Sequence, residues 1–298
     1  MISFKPITLE DKEIITSYTI PFAPRDCDFS ISNLYGWHFS NDSSYAIINN
    51  FLVIRFRPED DRQIYLMPIG SGDIRPVIRL LEEDAQQEGQ PLRLQGEYTA
   101  MQETLEKDFP ALFLYQRYRD FYDYLYLRKD LAELKGKNYQ PKRNHVNKFK
   151  KEYAYRYTPL TPEMLPQCLE FETRWCLEHD QSNRESLRQE RRALTFCLRH
   201  YEELGLTGGA IWVGDEMAAF TFGAPVNRDT FDVNVEKANI HMDGAYSLIN
   251  QEFAGHLPEQ YIYLNREEDL GVAGLRQSKL SYHPAVLYEK CIATRESL

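Results

Sequence analysis

The chain is 298 residues long, generous for one compact domain and comfortable for two. Its hydrophobic fraction of 43%, with 20 Tyr and 16 Phe, can supply a core to either half and excludes a disordered chain. The net charge of −10 argues against a protein that coats long nucleic acids, since such proteins are basic overall.

Met1 to Tyr18 has charges spread through it and no apolar stretch of signal-peptide type. The spacing predicts a helix over Thr8 to Tyr18, with Thr8 as N-cap and Glu10 and Asp11 in the first turn. Three strands follow at Tyr45–Ile48, Phe51–Phe56 and Gln63–Met67. A tight turn at Asn49-Asn50 joins the first two, and Pro58 to Asp61 closes the second. Ile74, Val77, Ile78 and Leu81 fall at i, i+3, i+4 and i+7, so Ile74 to Ala85 reads as a helix. Pro91–Leu94 is a short strand, Tyr98 to Lys107 a helix, and Ala111–Tyr118 a strand again.

The segment Tyr122 to Tyr157 follows as a link. Tyr122 to Leu127 reads as a strand, and a basic helix comes after it, with Pro141 in the first turn, where a missing N–H costs nothing. Val146, Phe149 and Tyr153 form its apolar stripe. Lys135 to Arg156 holds eight Lys or Arg against the single acid Glu152, a net +7 that leaves −17 for the remainder.

Helices are expected at Pro162 to His179 and Arg184 to Leu204. Strands then recur at Gly209–Val213, Met217–Gly223 and Thr230–Val235, with turns at Gly214-Asp215-Glu216 and Pro225–Asp229. A helix over Ala245 to Ala254, a strand at Gln260–Leu264, a short helix over Gly274 to Leu280 and a last strand at Ala285–Cys291 complete the chain. Each half thus reads β-β-β-α-β-α-β. The expected organisation is two copies of one α+β fold, over residues 1–120 and 158–298, joined by the strand and basic helix of 121–157.

No apolar run of eighteen residues occurs, so no membrane-spanning helix is expected. The five cysteines (Cys27, Cys168, Cys176, Cys197 and Cys291) are odd in number and form no CxxC pair. They suggest neither a zinc site nor a disulfide framework, and a cytoplasmic setting fits them best. No Ser-His-Asp, HExxH or Walker pattern is present, so hydrolase and nucleotide triphosphatase chemistry is not expected.

Three antiparallel strands followed by helix, strand, helix and strand is the order of the Gcn5-related N-acetyltransferase (GNAT) core. Three phrases carry a closer likeness: Tyr65 to Pro76 (YLMPIGSGDIRP), Tyr124 to Phe149 (YLYLRKDLAELKGKNYQPKRNHVNKF) and Tyr263 to Pro284 (YLNREEDLGVAGLRQSKLSYHP). With them the sequence resembles the soluble domain of phosphatidylglycerol lysyltransferases, and it is similar to the Fem-type aminoacyltransferases. The resemblance implies tandem GNAT-like folds, each a mixed, mainly antiparallel sheet flanked by helices. It implies an acyl- or aminoacyl-transferase with acyl-CoA or aminoacyl-tRNA as co-substrate, no tightly bound cofactor, and an amine or hydroxyl acceptor such as a small molecule or peptide amine. The lipid-modifying relatives carry a membrane-embedded N-terminal region that this sequence does not show.

In a GNAT fold the donor enters where the third and fourth strands splay, and its phosphates meet N–H groups at the next helix start. Here that start is Gly244 and Ala245, after Asp243. One glycine stands where coenzyme A users show two, which favours a non-catalytic binding module and speaks against an acetyl-CoA-dependent N-acetyltransferase. The N-terminal Gly70-Ser71-Gly72 reads as a structural turn. Transfer to an amine needs a base, a holder for the donor carbonyl and a cation for the leaving group. Glu236 is the candidate base and Asn265 the candidate carbonyl holder, each at a strand end, although a solvated acid and a turn-forming Asn are the plain alternatives. By resemblance, Lys279 neutralises the leaving group and Arg276, with Asp269 in the same phrase, meets a donor phosphate. Lys279 and Arg276 lie three apart on one helix face. In the basic helix, Lys142, Arg143, Lys148 and Lys151 form either a tRNA-binding surface or a solvated face. His179, His200 and His241 lack partners at metal spacing. Tyr282 and Tyr288 are either proton donors or core tyrosines.

Overall fold

The computed structural model describes residues 2–58, 62–178 and 184–295. The expected turn at Pro58 to Asp61 and the residue His179 lie wholly or partly outside the described residues. Fifteen strands occur among those described: β1 Lys5–Pro6, β2 Ser44–Ile48, β3 Phe51–Phe56, β4 Ile64–Leu66, β5 Ile69–Gly70, β6 Arg93–Glu97, β7 Phe113–Arg117, β8 Asp123–Leu127, β9 Tyr155–Pro159, β10 Thr207–Val213, β11 Glu216–Pro225, β12 Thr230–Ala238, β13 Tyr263–Asn265, β14 Val286–Tyr288 and β15 Lys290–Arg295. They build two sheets. One runs β1-β2-β3-β4-β6-β15-β7, with β5 also paired to β3, and the other runs β14-β8-β13-β12-β11-β10-β9. Both are antiparallel except at β4/β6 and β12/β13.

Local chemistry accounts for the turns. Asn49 and Asn50 both take positive φ (48° and 66°), so β2 and β3 close through a two-residue loop with Ile48 opposite Phe51. β10 and β11 also close through a two-residue loop, in which Gly214 alone takes positive φ (59°), with Val213 opposite Glu216. The Thr8 N–H and hydroxyl both donate to Asp11 Oδ2 (2.9 and 2.8 Å), which fixes a 3₁₀ turn ahead of the helix Lys12–Phe22. The helix Arg75–Gln87 has proline in its first turn and buries Val77, Ile78 and Leu81 of the stripe read from the sequence, together with Ala85, while Ile74 is its N-cap.

The two sheets are not drawn from contiguous halves of the chain. The last strand expected at Ala285–Cys291 divides: β14 stays at the edge of the C-terminal sheet, and β15 lies between β6 and β7 of the N-terminal one, with Ala293 opposite Leu94 on one side and Tyr115 on the other. β8, expected in the link, lies between β13 and β14 of the C-terminal sheet. Each half thus lends its last strand to the other, at equivalent positions. The apolar core follows suit, since Ile15, Phe29, Tyr35 and Leu52 pack in one cluster with Phe220, Phe222, Leu194 and Trp212. Other elements escape the sequence reading, among them β9, which extends the C-terminal sheet beyond β10, the short helices Ile31–Gly36 and His38–Asn41, and the helix Arg128–Glu133. No helix among the described residues is long and apolar enough to cross a membrane.

Candidate active site at a splayed parallel strand pair

β12 and β13 are hydrogen-bonded over three register pairs only, ending at Asp232 opposite Asn265. β12 runs on to Ala238, held on its other side by β11, while β13 stops. The gap beyond the last pair opens into a cavity of about 650 Å³. Its walls are residues 233–237 of β12, the first turn of the helix Ala245–His256, Trp175 and Glu190 from two flanking helices, and Arg266, Glu267, Leu275, Ser278, Lys279 and Tyr282. The basic helix Gln140–Glu152 reaches the cavity with Lys142 and His145.

Of the residues read as chemical candidates, Glu236, Lys279, Gly244, Ala245 and Lys142 line this cavity. Lys279 is buried, and its ammonium donates to the Arg266 carbonyl (2.5 Å) and to the Glu268 carbonyl. Both carbonyls belong to a tight turn in which Glu267 holds φ 56°. Burial pushes the Lys279 pKa down, and the neighbouring Glu267 and Glu268 carboxylates oppose that shift. Replacing Lys279 by Ala would leave two carbonyls without their donor, so a substitution there is not neutral for folding.

Glu236 has both oxygens occupied: Arg266 donates to Oε1 (2.9 Å) and Asn250 to Oε2 (3.1 Å). Each oxygen already accepts one bond, one of them from the Arg266 guanidinium, so the geometry favours an ion-paired wall residue over its reading as a base. Asn265 does not line the cavity. It is fully buried, donates to the Arg25 carbonyl (2.8 Å) and Asp123 Oδ2 (2.7 Å), and accepts from the Glu267 N–H (2.7 Å), so it holds the turn rather than a donor carbonyl.

Arg276 and Asp269 also lie off the cavity. Arg276 grips Asp269 with two bonds (2.8 and 2.7 Å) and Asp120 with a third (2.5 Å), and Tyr124 donates to Asp269 as well (2.6 Å). Although burial works the other way, these donors hold the Asp269 carboxyl well below the usual range. The pair clamps the loop to the segment before β8, and Arg276 has no free fork for a phosphate.

Gly244 has φ 93°, and a Cβ there would lie 2.2 Å from the His145 carbonyl oxygen. It is glycine so that the basic helix can lie against the start of the helix Ala245–His256. The Ala245 N–H already donates to Met242 (3.0 Å). Asp243 is paired with Lys148 (2.7 Å) and His145 (2.9 Å). The basic helix therefore divides. Lys142 lies over the Tyr282 ring (3.8 Å), and burial, with Arg266 nearby, pushes its pKa down to about 8. Arg143 donates to the Leu134 and Gly136 carbonyls, ending the helix Arg128–Glu133, while Lys151 is solvent-facing. Tyr282 and Tyr288 are both buried, and only Tyr282 lines the cavity.

Sequence reasoning missed Glu267, Asn33 and Asn234. The Asn33 and Asn234 side chains both donate to Glu267 Oε1 (2.9 Å each), and Asn234 also donates to Asn33 Oδ1 (2.8 Å). Oε2 has no hydrogen-bond partner among the described residues, and the side chain lines the cavity. Burial and the neighbouring Glu268 push Glu267 up to about 7. Three acids in a row, Glu267-Glu268-Asp269, one residue after the strand β13 are the signal that marks this turn.

Two mainly antiparallel sheets, each with one parallel pair after the third strand of its meander, define an acyltransferase-like α+β fold of the GNAT type. The family model for the phosphatidylglycerol lysyltransferase C-terminal domain matches residues 20–294, and the chain belongs to that family. A conserved protein of unknown function from Bacteroides thetaiotaomicron is 47% identical and superposes with a TM-score of 0.96 over 99% of this chain and 100% of that one. L-PGS from Bacillus licheniformis shares the fold at 17% identity, with a TM-score of 0.66 over 100% of this chain and 95% of that one. FemX shares it at 8% identity, with a TM-score of 0.59 over 98% and 97%. No curated protein matches the chain.

Proposed function

We propose that the protein is an acyl- or aminoacyl-transferase that moves an activated group from an aminoacyl-tRNA or acyl-CoA donor to an amine or hydroxyl acceptor in the cavity beyond the β12/β13 ladder. One observation carries this reading: the cavity sits where the parallel pair ends, with the buried Lys279 ammonium fixed in its wall. A cation held there without reorganisation stabilises charge developing on the leaving oxygen or sulfur. The fold and the family agree with it.

Aminoacyl-tRNA is the favoured donor class. The start of the helix Ala245–His256 is crossed by the His145 carbonyl, and the Ala245 N–H is engaged, which leaves little room for a pyrophosphate. The basic helix meanwhile borders the cavity with Lys142 and His145 and presents Lys151 to solvent. Closely spaced cations along a helix bind a polynucleotide backbone through counterion release.

A ligand that binds only the native state raises its melting temperature, by roughly 2.7 kcal/mol of stabilisation at a hundredfold excess over Kd. The test is a thermal-shift comparison of acetyl-CoA, longer CoA thioesters, uncharged tRNA and aminoacyl-tRNA. Stabilisation by aminoacyl-tRNA, falling steeply with salt and lost on Lys151→Glu with Lys148→Glu, supports the reading. No shift with any donor leaves a non-catalytic module that keeps the fold.

A further inference from the structure

The cavity wall holds three carboxylates already satisfied by cations: Glu236 by Arg266, Glu190 by Lys237 (2.7 Å) and Asp243 by Lys148. Glu267 differs. Its donors are two neutral amides, and both converge on Oε1. Asn33 belongs to the helix Ile31–Gly36 in the N-terminal half and Asn234 to β12, so the carboxylate is held from both sides of the molecule. Asn33 is itself fixed by the Cys27 carbonyl (3.0 Å), and Asn234 by Asn33. The backbone adds to the aim, since a non-glycine residue at φ 56° carries strain that the surrounding contacts must offset. Glu267 is thus oriented through one oxygen and open through the other.

We propose that Glu267 is the general base of the site, accepting a proton at Oε2 from an amine acceptor, with Asn33 and Asn234 as positioning residues. This rests on the transferase reading and names its missing part. The neutral amine attacks the donor carbonyl carbon, and a C–N bond forms as the carbon's bond to the carrier oxygen or sulfur breaks. The electron pair leaves on that oxygen or sulfur, beside Lys279, and water relays to it the proton that Glu267 takes up and releases. The amine's surplus proton passes to Glu267. A carboxylate poised near the working pH suits that transfer better than an ordinary glutamate. The charged and titratable groups facing Glu267 are Glu268 in its own turn, Lys279 from the helix Ala273–Leu280, Asp232 from β12 and Cys197 from the helix Arg184–Arg199. Glu268 is itself compensated by Lys290 (2.7 Å).

The test uses the full chain with carboxyl-carbon-labelled glutamate, titrated by NMR with and without n-propylamine as the probe. The expected result is one carboxyl resonance with a midpoint near 7, absent in Glu267→Gln and displaced by the amine in wild type. Asn33→Ala removes a donor that favours the anion, so its midpoint moves up. Gln keeps an oxygen for the two asparagines, so Glu267→Gln should stay folded while losing the base. A midpoint below 5 in wild type, or no response to the amine, overturns the assignment. With whichever donor stabilises the protein, Glu267→Gln should lower kcat by at least about a hundredfold, and Asn33→Ala should move the acid limb of the rate profile upward. Wild-type turnover in Glu267→Gln would also remove Glu267 and leave the transferase reading standing. A base that titrates and responds as stated, in a protein that no donor stabilises, removes the transferase reading instead.

Discussion

The two parallel strand pairs, β4/β6 and β12/β13, occupy the same place in the two halves and behave differently. β4 has three residues and ends at Leu66, its last register partner to β6, after which the chain turns back and β5 pairs with β3. The Met67 N–H still reaches Gln95 (2.7 Å), and a Cβ on Gly96 would lie 3.1 Å from the Met67 Cβ, so this junction is packed. β12 has nine residues and outruns its last pair with β13, leaving residues 233–237 as a cavity wall. The order of elements is shared, and the length of the third strand decides which junction opens. The N-terminal half then serves the opening indirectly, by presenting Asn33 to Glu267.

That service requires the halves to be fixed relative to each other, and the largest expected effect comes from breaking what fixes them. Lys290 opens the exchanged strand β15, and Asp123 opens the exchanged strand β8. Their side chains meet at 2.9 Å, with Glu268 at 2.7 Å and Asp28 at 3.2 Å from the same ammonium. Lys290 and Asp123 are both buried. Lys290→Met leaves buried carboxylates without their cation, and it should cost about 3–5 kcal/mol in urea denaturation at pH 7. A loss within 1 kcal/mol or so would mean that strand pairing and the shared apolar core hold the halves without the charge.

A pair of glycine substitutions sharpens the contrast at lower cost. A Cβ at Gly70 would meet the Asn50 carbonyl at 2.1 Å, and one at Gly244 would meet the His145 carbonyl at 2.2 Å. Each Gly→Ala should destabilise by about 1–3 kcal/mol through overpacking against backbone, with Gly244 at the upper end because of its left-handed φ. Only Gly244→Ala displaces Lys142 and His145 from the cavity, so only it should weaken donor-dependent stabilisation in the thermal-shift assay. If Gly70→Ala weakens it equally, the Gly-Ser-Gly turn is more than structural and the two junctions are functionally alike.

Periodicity and turn chemistry made most of the elements legible, including the tight turns at Asn49-Asn50 and Gly214-Asp215 and the stripe of Val77, Ile78 and Leu81. The exchange of β8 and β15 was not legible, because pattern identifies a strand without naming its neighbours; Ala285–Cys291 read as one strand where the chain makes two in different sheets. β9 was hidden because an edge strand with half-exposed Tyr155 and Tyr157 has no clean alternation. At the site, sequence placed Lys279, Glu236 and Gly244 on the cavity. It could not show that Arg276 and Asn265 spend their hydrogen bonds inside the loop, nor that Asn33, more than two hundred residues away in sequence (Asn33 to Glu267), completes a carboxylate. Partners set by long-range packing lie beyond any local signal.

The smallest effect concerns the basic helix, whose lysines look alike in sequence and differ in the fold. Lys142 is half-buried over Tyr282 with a pKa pushed down to about 8, while Lys148 is solvent-facing and held above the ordinary lysine range by Asp243. At pH 7.5 about a quarter of Lys142 is neutral, against about one part in a thousand for an ordinary lysine. Only the neutral amine is acylated, so a limiting amount of an N-hydroxysuccinimide acetate, followed by peptide mass spectrometry, should modify Lys142 first. Half-burial slows access, and an advantage of about tenfold over Lys148 and Lys151 is expected to survive it. The melting temperature should barely change. The advantage should shrink as pH rises well above 8, because Lys142 is then already neutral and gains nothing further. Earlier labelling of Lys151 at pH 7.5 would place Lys142 with the solvent-facing cations, and the helix would have one chemical face instead of two.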